Sequence, residues 1–577
     1  MQELVSVEFN DQTSYVSYSN TDIVGCPIDH YWGPVGNYRV LTREEYIALY
    51  PDCKPLGASS KIDGVRELFK KFDEDLNNPM NSWVYPWASA LRAMRMGASF
   101  VEVVRPAGVW KYLHTHLSTL GTFTPSASFD QFEDNYSSGI QLALKYPGFI
   151  PDNYGPYDDL EFRITCGGKW DSAGNAPIKI EVYGITYNPD TPQLVVLTSN
   201  LVETLLGDFS KDTIVDGKRV FIEDVVASNS NILAVKVLPS DPNNPGEFNY
   251  NFQNKAIKYT EMITQGGTPP GNDSVFDRRY DNDELYKEQW PNYYDPYKDM
   301  DVTQSTILIP SVSTHEVNER IIEVAAYRKT LNGIVGLPID QNTQGMEDHH
   351  YGYNYSDILA YHGRLTKDMF TEFVQGQEQV TFLGERFVMD CTAAVAGRTC
   401  AVASQVRTNQ LPSAKAYGMI NTVLTETLQF SEVLKLHEKG IGSVYATVNG
   451  PMIFSVRSLH PRQTSYFARF NVARVTAKVL KPVINRILEA IHTDTVSDVL
   501  MRMSMQKDLQ FIINQEIADR NLKAESQALI TDEANSDANT RGGEILIVDL
   551  ILYYKKLVEQ ARVRITATDS SVTTTIS

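Results

Sequence analysis

Between about Pro106 and Met300 the chain changes texture, and that change limits its fold more than any other feature. On either side, helical periodicities alternate with short apolar runs. Inside, runs such as LEFRIT, IKIEVYGI, LVVLT and ILAVKVL stand in aromatic, Asp/Asn/Pro/Gly-rich sequence. Runs of that length bounded by turn formers predict antiparallel strands, here in one or two β-rich domains. The stretch from Gly266 to Asp301, with its turn formers, charges and tyrosines expected to be exposed, reads as a long loop closing the inserted region. At 577 residues the chain has material for about three or four compact units of roughly 150 residues. The expected class is α+β multidomain.

The flanks are more regular. Val5, Val7 and Phe9 alternate with Ser6, Glu8 and Asn10, the period of a half-buried strand, and a strand at a terminus needs a sheet to join. The segment TDIVGCPIDHYWGPVGNYRVLTREEYIALY reads as strand, Gly/Pro turn, strand and a helix capped by Thr42 with Glu45 three residues on. The helix WVYPWASALRAMRM ends at Gly97, a residue suited to the left-handed C-terminal position, and Ser99 to Arg105 is a buried strand. Beyond the insertion, Ser313 and Glu316 predict a capping box before a helix carrying Ile321, Val324, Ala325 and Arg328 at helical spacing. Gly333 should break it, with IVGLP continuing as a strand.

GIGSVYATVNGPMIFSVRSL gives two short strands. Val472, Val475, Val479, Val483 and Ile487 define an amphipathic helix over about Tyr466 to Ile491, with a kink expected at Pro482. A second helix, about Ser497 to Asp519, precedes the polar break DEANSDANTRGG and the strand EILIVDLILYY. In the closing piece, Val563 and Ile565 alternate with Arg562 and Arg564. Both chain ends are therefore strand-like, which is the pattern of arms that complete another sheet.

A formal charge of -19 sets the surface against phosphate backbones and anionic membranes, so neither nucleic acid nor membrane is expected as a direct partner. No secretory signal and no run of about 18 apolar residues is read. Five scattered cysteines without a C-x-x-C pair read as buried free thiols. Walker A, G-x-S-x-G and H-E-x-x-H sequences are missing, and no cofactor or catalytic residue is assigned. His114 with His116, and His349 with His350, could approach a metal but are better read as loop or interface histidines. The acids Asp281 to Glu284 lack the glycine and terminal glutamate of a calcium loop. Carboxylate pairs for a glycosidase could be drawn from Asp158, Asp159 and Glu161, or from Asp130, Glu133 and Asp134, and chance pairing explains them.

Several segments, taken in order, resemble the contractile tail sheath family. GPVGNYRVLTREEY is similar to the family's early G-P-x-N-x-P segment, with Tyr38 or Arg39 in place of its second proline. The helix, Gly97 and FVEVVR follow the family's helix, glycine and strand. GGKWDSAGNAPIKIEV, with Gly168, Trp170, Gly174, Asn175 and Ile178, resembles its G-x-W-G-N-x-I-x-V strand entry. CTAAVAGRTCAVASQVRTNQ, with Ala396, Gly397 and Arg407, resembles V-A-G-x-x-A-R-x-D, the aspartate being replaced by Thr408 or Asn409. Asn471, Val472 and Arg474 match I-N-V-R-R, with Ala473 departing.

That resemblance implies a structural protein, not an enzyme: an α/β core built from both chain ends (21–105 and 306–560) with β-rich outer domains inserted (106–305). It implies strand arms at 1–20 (Val5, Val7, Phe9) and 561–577 (Val563, Ile565) that join neighbouring copies. It also implies stacked hexameric rings forming a helical sheath around a tail tube protein, between baseplate and tail terminator proteins, in a virion assembled in host cytoplasm. Arg474, Lys478, Lys481 and Arg486 on the long C-terminal helix would then either form a solvated face or contact an acidic tube. A baseplate or other non-contractile virion protein, and a carbohydrate-active enzyme with β modules, are the alternative readings.

Overall fold

The computed structural model describes residues 22–58, 84–170, 176–188, 195–266, 279, 284–299, 304–338, 355–425, 428–454, 457–490, 499–536, 546–555, 563–567 and 572–576. The N-terminal part holds β1 (Ile23–Pro27), β2 (Gly36–Leu41), α1 (Arg43–Leu49), α2 (Val84–Arg95) and β3 (Phe100–Arg105). Next come β4 (Tyr112–Leu117), β5 (Phe123–Ser128), β6 (Ile140–Leu144), β7 (Asp159–Cys166), β8 (Ile178–Tyr187) and β9 (Val196–Gly207). They are followed by β10 (Ile214–Val215), β11 (Lys218–Arg219), α3 (Ile222–Asn229), β12 (Leu233–Val237), β13 (Lys255–Lys258) and α4 (Tyr259–Gly266).

The chain continues with β14 (Ile307–Leu308), α5 (His315–Arg328), β15 (Asn332–Gly336), α6 (Tyr355–His362), β16 (Thr371–Gln375), β17 (Gln377–Phe382) and β18 (Glu385–Asp390). Then come α7 (Thr392–Gln405), α8 (Ala414–Tyr417), β19 (Val423–Leu424), α9 (Phe430–Glu438), β20 (Ile441–Thr447) and β21 (Gly450–Phe454). It closes with α10 (Phe470–Ala490), α11 (Val499–Ala518), β22 (Gln527–Leu529), β23 (Asp549–Ile551), β24 (Val563–Ala567) and β25 (Val572–Ile576).

The centre is an eight-stranded sheet of order β2-β3-β1-β14-β15-β16-β20-β21. Its six inner strands run parallel and its outer strands, β2 and β21, antiparallel. β1, β15 and β16 are buried along their whole length, as expected of parallel strands covered on both faces. The sheet therefore joins strands from before and after the β-rich region. That region folds as two four-stranded sheets, β12-β6-β4-β5 and β13-β7-β8-β9. Buried side chains are contiguous from the central sheet into both, from Val24 and Val103 through Leu113 and Ile140 to Ile180.

Local chemistry explains the element ends. At α1 the Glu45 amide donates to Thr42 Oγ1 (3.3 Å) and the Thr42 amide to Glu45 Oε2 (2.8 Å), the reciprocal box read from the sequence. Gly97 has φ +117°, and a Cβ there would lie 2.6 Å from Ala401 Cβ. Helices α2 and α7 cross so closely that a Cβ on Gly397 would sit 2.0 Å from the Ala93 carbonyl oxygen, which is why α7 is built from small residues. At α5 the cap is shifted by one residue from the expectation. Thr314 Oγ1 accepts from the Val317 amide, while the Ser313 hydroxyl donates to the buried Asp390.

The described part of the stretch expected as a long exposed loop, 284–299, differs from that expectation, and 267–278 lie outside the described residues. Residues Glu284–Lys298 form a turn of π-helix followed by 3-10 helix, and Tyr286, Trp290, Tyr294 and Tyr297 are buried. Each polar ring atom has found an acceptor: Trp290 Nε1 donates to Ser311 Oγ (2.9 Å), Tyr294 to the Ile309 carbonyl (2.9 Å) and Tyr297 to the Glu102 carbonyl (2.9 Å). An aromatic ring with its polar tip satisfied is stable inside, so this segment straps the sheet instead of leaving it. In EILIVDLILYY, Asp549–Ile551 pairs in a ladder with β22, and Tyr554 makes an isolated bridge to Leu522.

Candidate assembly site at the chain ends

Helix α10 has two unlike faces. Val472, Val475, Val479 and Val483 pack with Met505, Leu509 and Ile513 of α11 in a hydrophobic cluster of their own. Phe470, Ala473 and Ala477 point into the main core instead. Small alanines bring the helix close to the sheet, and polar side chains complete that contact.

Arg474, only 2% exposed, donates to Asp22 Oδ2 (2.6 Å) and to the Gln410 carbonyl (3.4 Å). One turn earlier, Asn471 Nδ2 donates to Asn409 Oδ1 (2.7 Å). Asn409 in turn donates from its side chain to the Lys555 carbonyl (3.2 Å) and from its amide to Asn521 Oδ1 (2.9 Å). Asn521 Nδ2 donates to Glu516 Oε2 (2.7 Å). Asn409, Asn471 and Asn521 are all buried, as unpaired amides could not be. Burial pushes the Glu372 carboxyl well above its usual range, and the Arg474 charge opposes that shift.

The other three bases singled out on this helix are also engaged within the chain. Lys478 lies 3.0 Å from Glu516 and 3.6 Å from Asp519, and Arg486 lies 2.9 Å from Asp508 and 3.6 Å from Glu489. Lys481 donates to the Gln304 carbonyl (3.4 Å), and burial holds its pKa below the ordinary lysine value. Arg474 and Lys481 thus tie α10 to the sheet, and Lys478 and Arg486 tie it to α11.

Val563 and Ile565 lie on β24, which pairs antiparallel with β25, placing Val563 opposite Ile576 and Ile565 opposite Thr574. Val5, Val7 and Phe9 lie outside the described residues. A second two-stranded sheet, β22-β23, sits on the α10–α11 cluster through Ala528, and Leu550 packs against it. Among the described strands, neither pair has a third partner.

The remaining candidates hold structure together. Asp159 accepts from the Leu160 and Thr260 amides and from the Thr260 and Tyr187 hydroxyls, and desolvation raises its pKa against those bonds. Asp158 accepts from the Tyr187 amide, and Glu161 pairs with Arg163. His114, buried, touches Ser126, Ser128 and Glu133, and burial lowers its pKa although Glu133 opposes the shift. His116 stacks on Tyr136 (3.8 Å between ring centroids) and contacts the Ser138 carbonyl (2.7 Å). His349, His350 and Asp281 to Asp283 fall outside the described residues. Cys26, Cys166, Cys391 and Cys400 are buried free thiols; Cys53 is half-buried, with its pKa pushed up to about 12 by burial. Among the described residues there is no group of three His, Cys, Asp or Glu side chains that could hold a metal. Among them, no helix is long and apolar enough to cross a membrane.

Asp22 and Lys555 as anchor points were not foreseen from the sequence. The available signal was Asn471 and Arg474, polar groups one turn apart on a helix whose neighbouring positions are apolar.

No protein-family model matches the sequence, and no curated protein matches it. Solved structures do. The fold aligns with the crystal structure of a sheath tail protein from Listeria innocua over 98% of this chain and 98% of that one, with a TM-score of 0.50 at 11% identity. A sheath tail protein from Desulfitobacterium hafniense aligns over 89% and 91% of the respective chains, with a TM-score of 0.44 at 10% identity. The sheath complex of an extracellular contractile injection system, PVC, in its contracted state aligns over 46% and 72%, with a TM-score of 0.39 at 11% identity. The class defined here is a multidomain α+β protein with an eight-stranded mixed sheet. Its fold is the one seen in the Listeria sheath tail protein.

Proposed function

We propose that this chain is the structural subunit of a contractile sheath. Copies polymerise as stacked hexameric rings around a tail tube, between a baseplate and a terminator, in a virion tail assembled in host cytoplasm. The observation that carries the reading is at the chain ends. Two two-stranded sheets, β22-β23 and β24-β25, have no third strand among the described residues, and a pair of strands is at best marginally stable alone. β22-β23 is held on the α10–α11 cluster and can accept strands from neighbouring copies, with main-chain hydrogen bonds supplying the affinity. Residues 1–20 and 561–577 are the strands offered. The likeness in fold to a sheath tail protein along nearly the whole chain agrees with this.

Contraction in this reading needs no nucleotide: the extended polymer is metastable, and rigid bodies rotate while exchanged strands keep copies connected. Within residues 106–305 the two four-stranded sheets form the outer part, while 284–298 strap the central sheet. Any charge contact with the tube falls to Arg486, whose partners Asp508 and Glu489 are exposed, because Arg474 and Lys481 are used inside and Lys478 pairs with the buried Glu516.

Negative-stain electron microscopy of the concentrated protein tests the proposal. Hollow striated cylinders are expected from the full chain, and soluble folded subunits without cylinders after deletion of residues 1–12 or 562–577. Cylinders of normal length from either truncation would sink the strand-exchange idea. Monodisperse particles from the full chain, even with tube protein added as template, would turn the reading toward a non-contractile virion component.

A further inference from the structure

Asp22 is the first described residue, and Lys555 is the last before the segment that leads to β24. Nothing in the sequence joins them, yet both are held by one turn. The turn after α7 presents two adjacent residues: Gln410, whose carbonyl receives Arg474, and Asn409, whose side chain binds Asn471 and the Lys555 carbonyl. Arg474 carries Asp22 on its other arm (2.6 Å). Asn471 and Arg474 stand one helical turn apart, so α10 grips the root of each terminal segment through neighbouring positions. Asn409 and Arg474 are 0% and 2% exposed, so these bonds do not compete with bulk water.

We infer that Asn409, Asn471 and Arg474 are positioning residues: a buried clamp that makes the two terminal segments leave the subunit from one shared anchor in a fixed relation. The use of the clamp rests on the sheath reading, in which two strands must reach different neighbours in register while subunits rotate. Its existence does not. The consequence particular to a shared clamp is coupling, because disturbing one root must loosen the other, although the two roots lie 533 positions apart (555 less 22).

Hydrogen exchange read by mass spectrometry on the full-length, unassembled chain tests this, with peptides covering 22–28, 546–555 and, as reference, β8. Asn471→Ala touches neither Asp22 nor Lys555 and should raise exchange in both root peptides about tenfold or more, leaving β8 unchanged. Asp22→Asn, a milder change that keeps an acceptor for Arg474, should raise exchange at 22–28 and, to a smaller degree, at 546–555. A rise confined to one root in both variants, no rise in either, or an equal rise in β8 overturns the shared clamp. The measurement does not need polymers. Coupled roots in a chain that never forms cylinders would leave the clamp standing and sink the sheath reading, and the opposite pair of results would do the reverse.

Discussion

The central sheet and the α10–α11 unit use helices in opposite ways. Around the sheet, α2 and α7 approach until glycine is the only residue that fits, and a buried ion pair ties α2 to β17. Arg92 donates to both carboxylate oxygens of Glu378 (2.9 and 2.6 Å), which also receives the Thr422 hydroxyl. The α10–α11 pair is joined by a single valine stripe against Met505, Leu509 and Ile513, and its outer face carries exposed Leu500, Met503 and Phe511. One region is closed on itself. The other is a small unit with open strands, held to the first by alanines and buried polar bonds. A part whose apolar contacts are few opens at lower free energy than the core it rests on, as an element that exchanges strands must.

The strongest way to break that contrast is Gly397→Val. Its Cβ would meet the Ala93 backbone, which cannot move without separating α2 from α7. We expect a loss of more than about 3 kcal/mol and global unfolding, seen as a single lowered transition in calorimetry. Retention of the parent transition temperature would show that the crossing is loose.

Leu509→Ala should come next. It empties the middle of the smaller cluster and should cost about 2–5 kcal/mol. The loss should be local: exchange in α10 and α11 rises while β1, β15 and β16 keep their protection. Equal loss of protection in the central sheet would mean that the two regions unfold as one, and the comparison would fail.

How far the sequence revealed this division depends on the range of the interactions. The Thr42 box, the Gly97 stop and the spacing of the valine stripe are each set by residues a few positions apart, so periodicity and cap chemistry exposed them. Arg474 and Lys478 read as a basic face, solvated or turned to a tube, because their partners, Asp22 and Glu516, lie on other elements that only the fold brings near. The tyrosines of 284–298 looked exposed for the same reason, since their acceptors belong to β3 and to the stretch after β14. Ser313 and Thr314 are both good caps, and the choice between them was made by Asp390, 77 positions away. Among site residues, the strand character of Val563 and Ile565 was legible, and the buried asparagine network that holds their root was not.

A pH measurement sharpens the comparison within the central region. Asp368, at the entry to β16, is raised from the usual 3.8 to about 6, chiefly by burial, although Phe370 and Thr371 donate to it. The folded state then binds the proton more tightly than the unfolded one. Its contribution is therefore fully present below about pH 4 and is lost as pH rises through 6, at most about 3 kcal/mol. Asp368→Asn keeps an acceptor and should flatten the decline between pH 4 and 6, leaving the variant about 1–3 kcal/mol more stable than the parent at pH 7. An unchanged slope in urea melts across that window would place the titration elsewhere.

The smallest effects separate the surface of the central region from its interior. Thr42 and Thr314 make the same bond, a hydroxyl accepting the amide three residues on (3.3 and 3.2 Å). Around Thr42 water can replace the lost acceptor, so Thr42→Ala should cost about 1 kcal/mol or less. Thr314 is 1% exposed, so in Thr314→Ala the Val317 amide is left without a partner where water cannot follow, and the cost should approach about 2 kcal/mol. Urea midpoints of the two variants, compared at equal slope, give the difference directly. Equal losses would mean that solvent reaches the start of α5, and the sheet's covered faces would then be less closed than the contrast with α10–α11 requires.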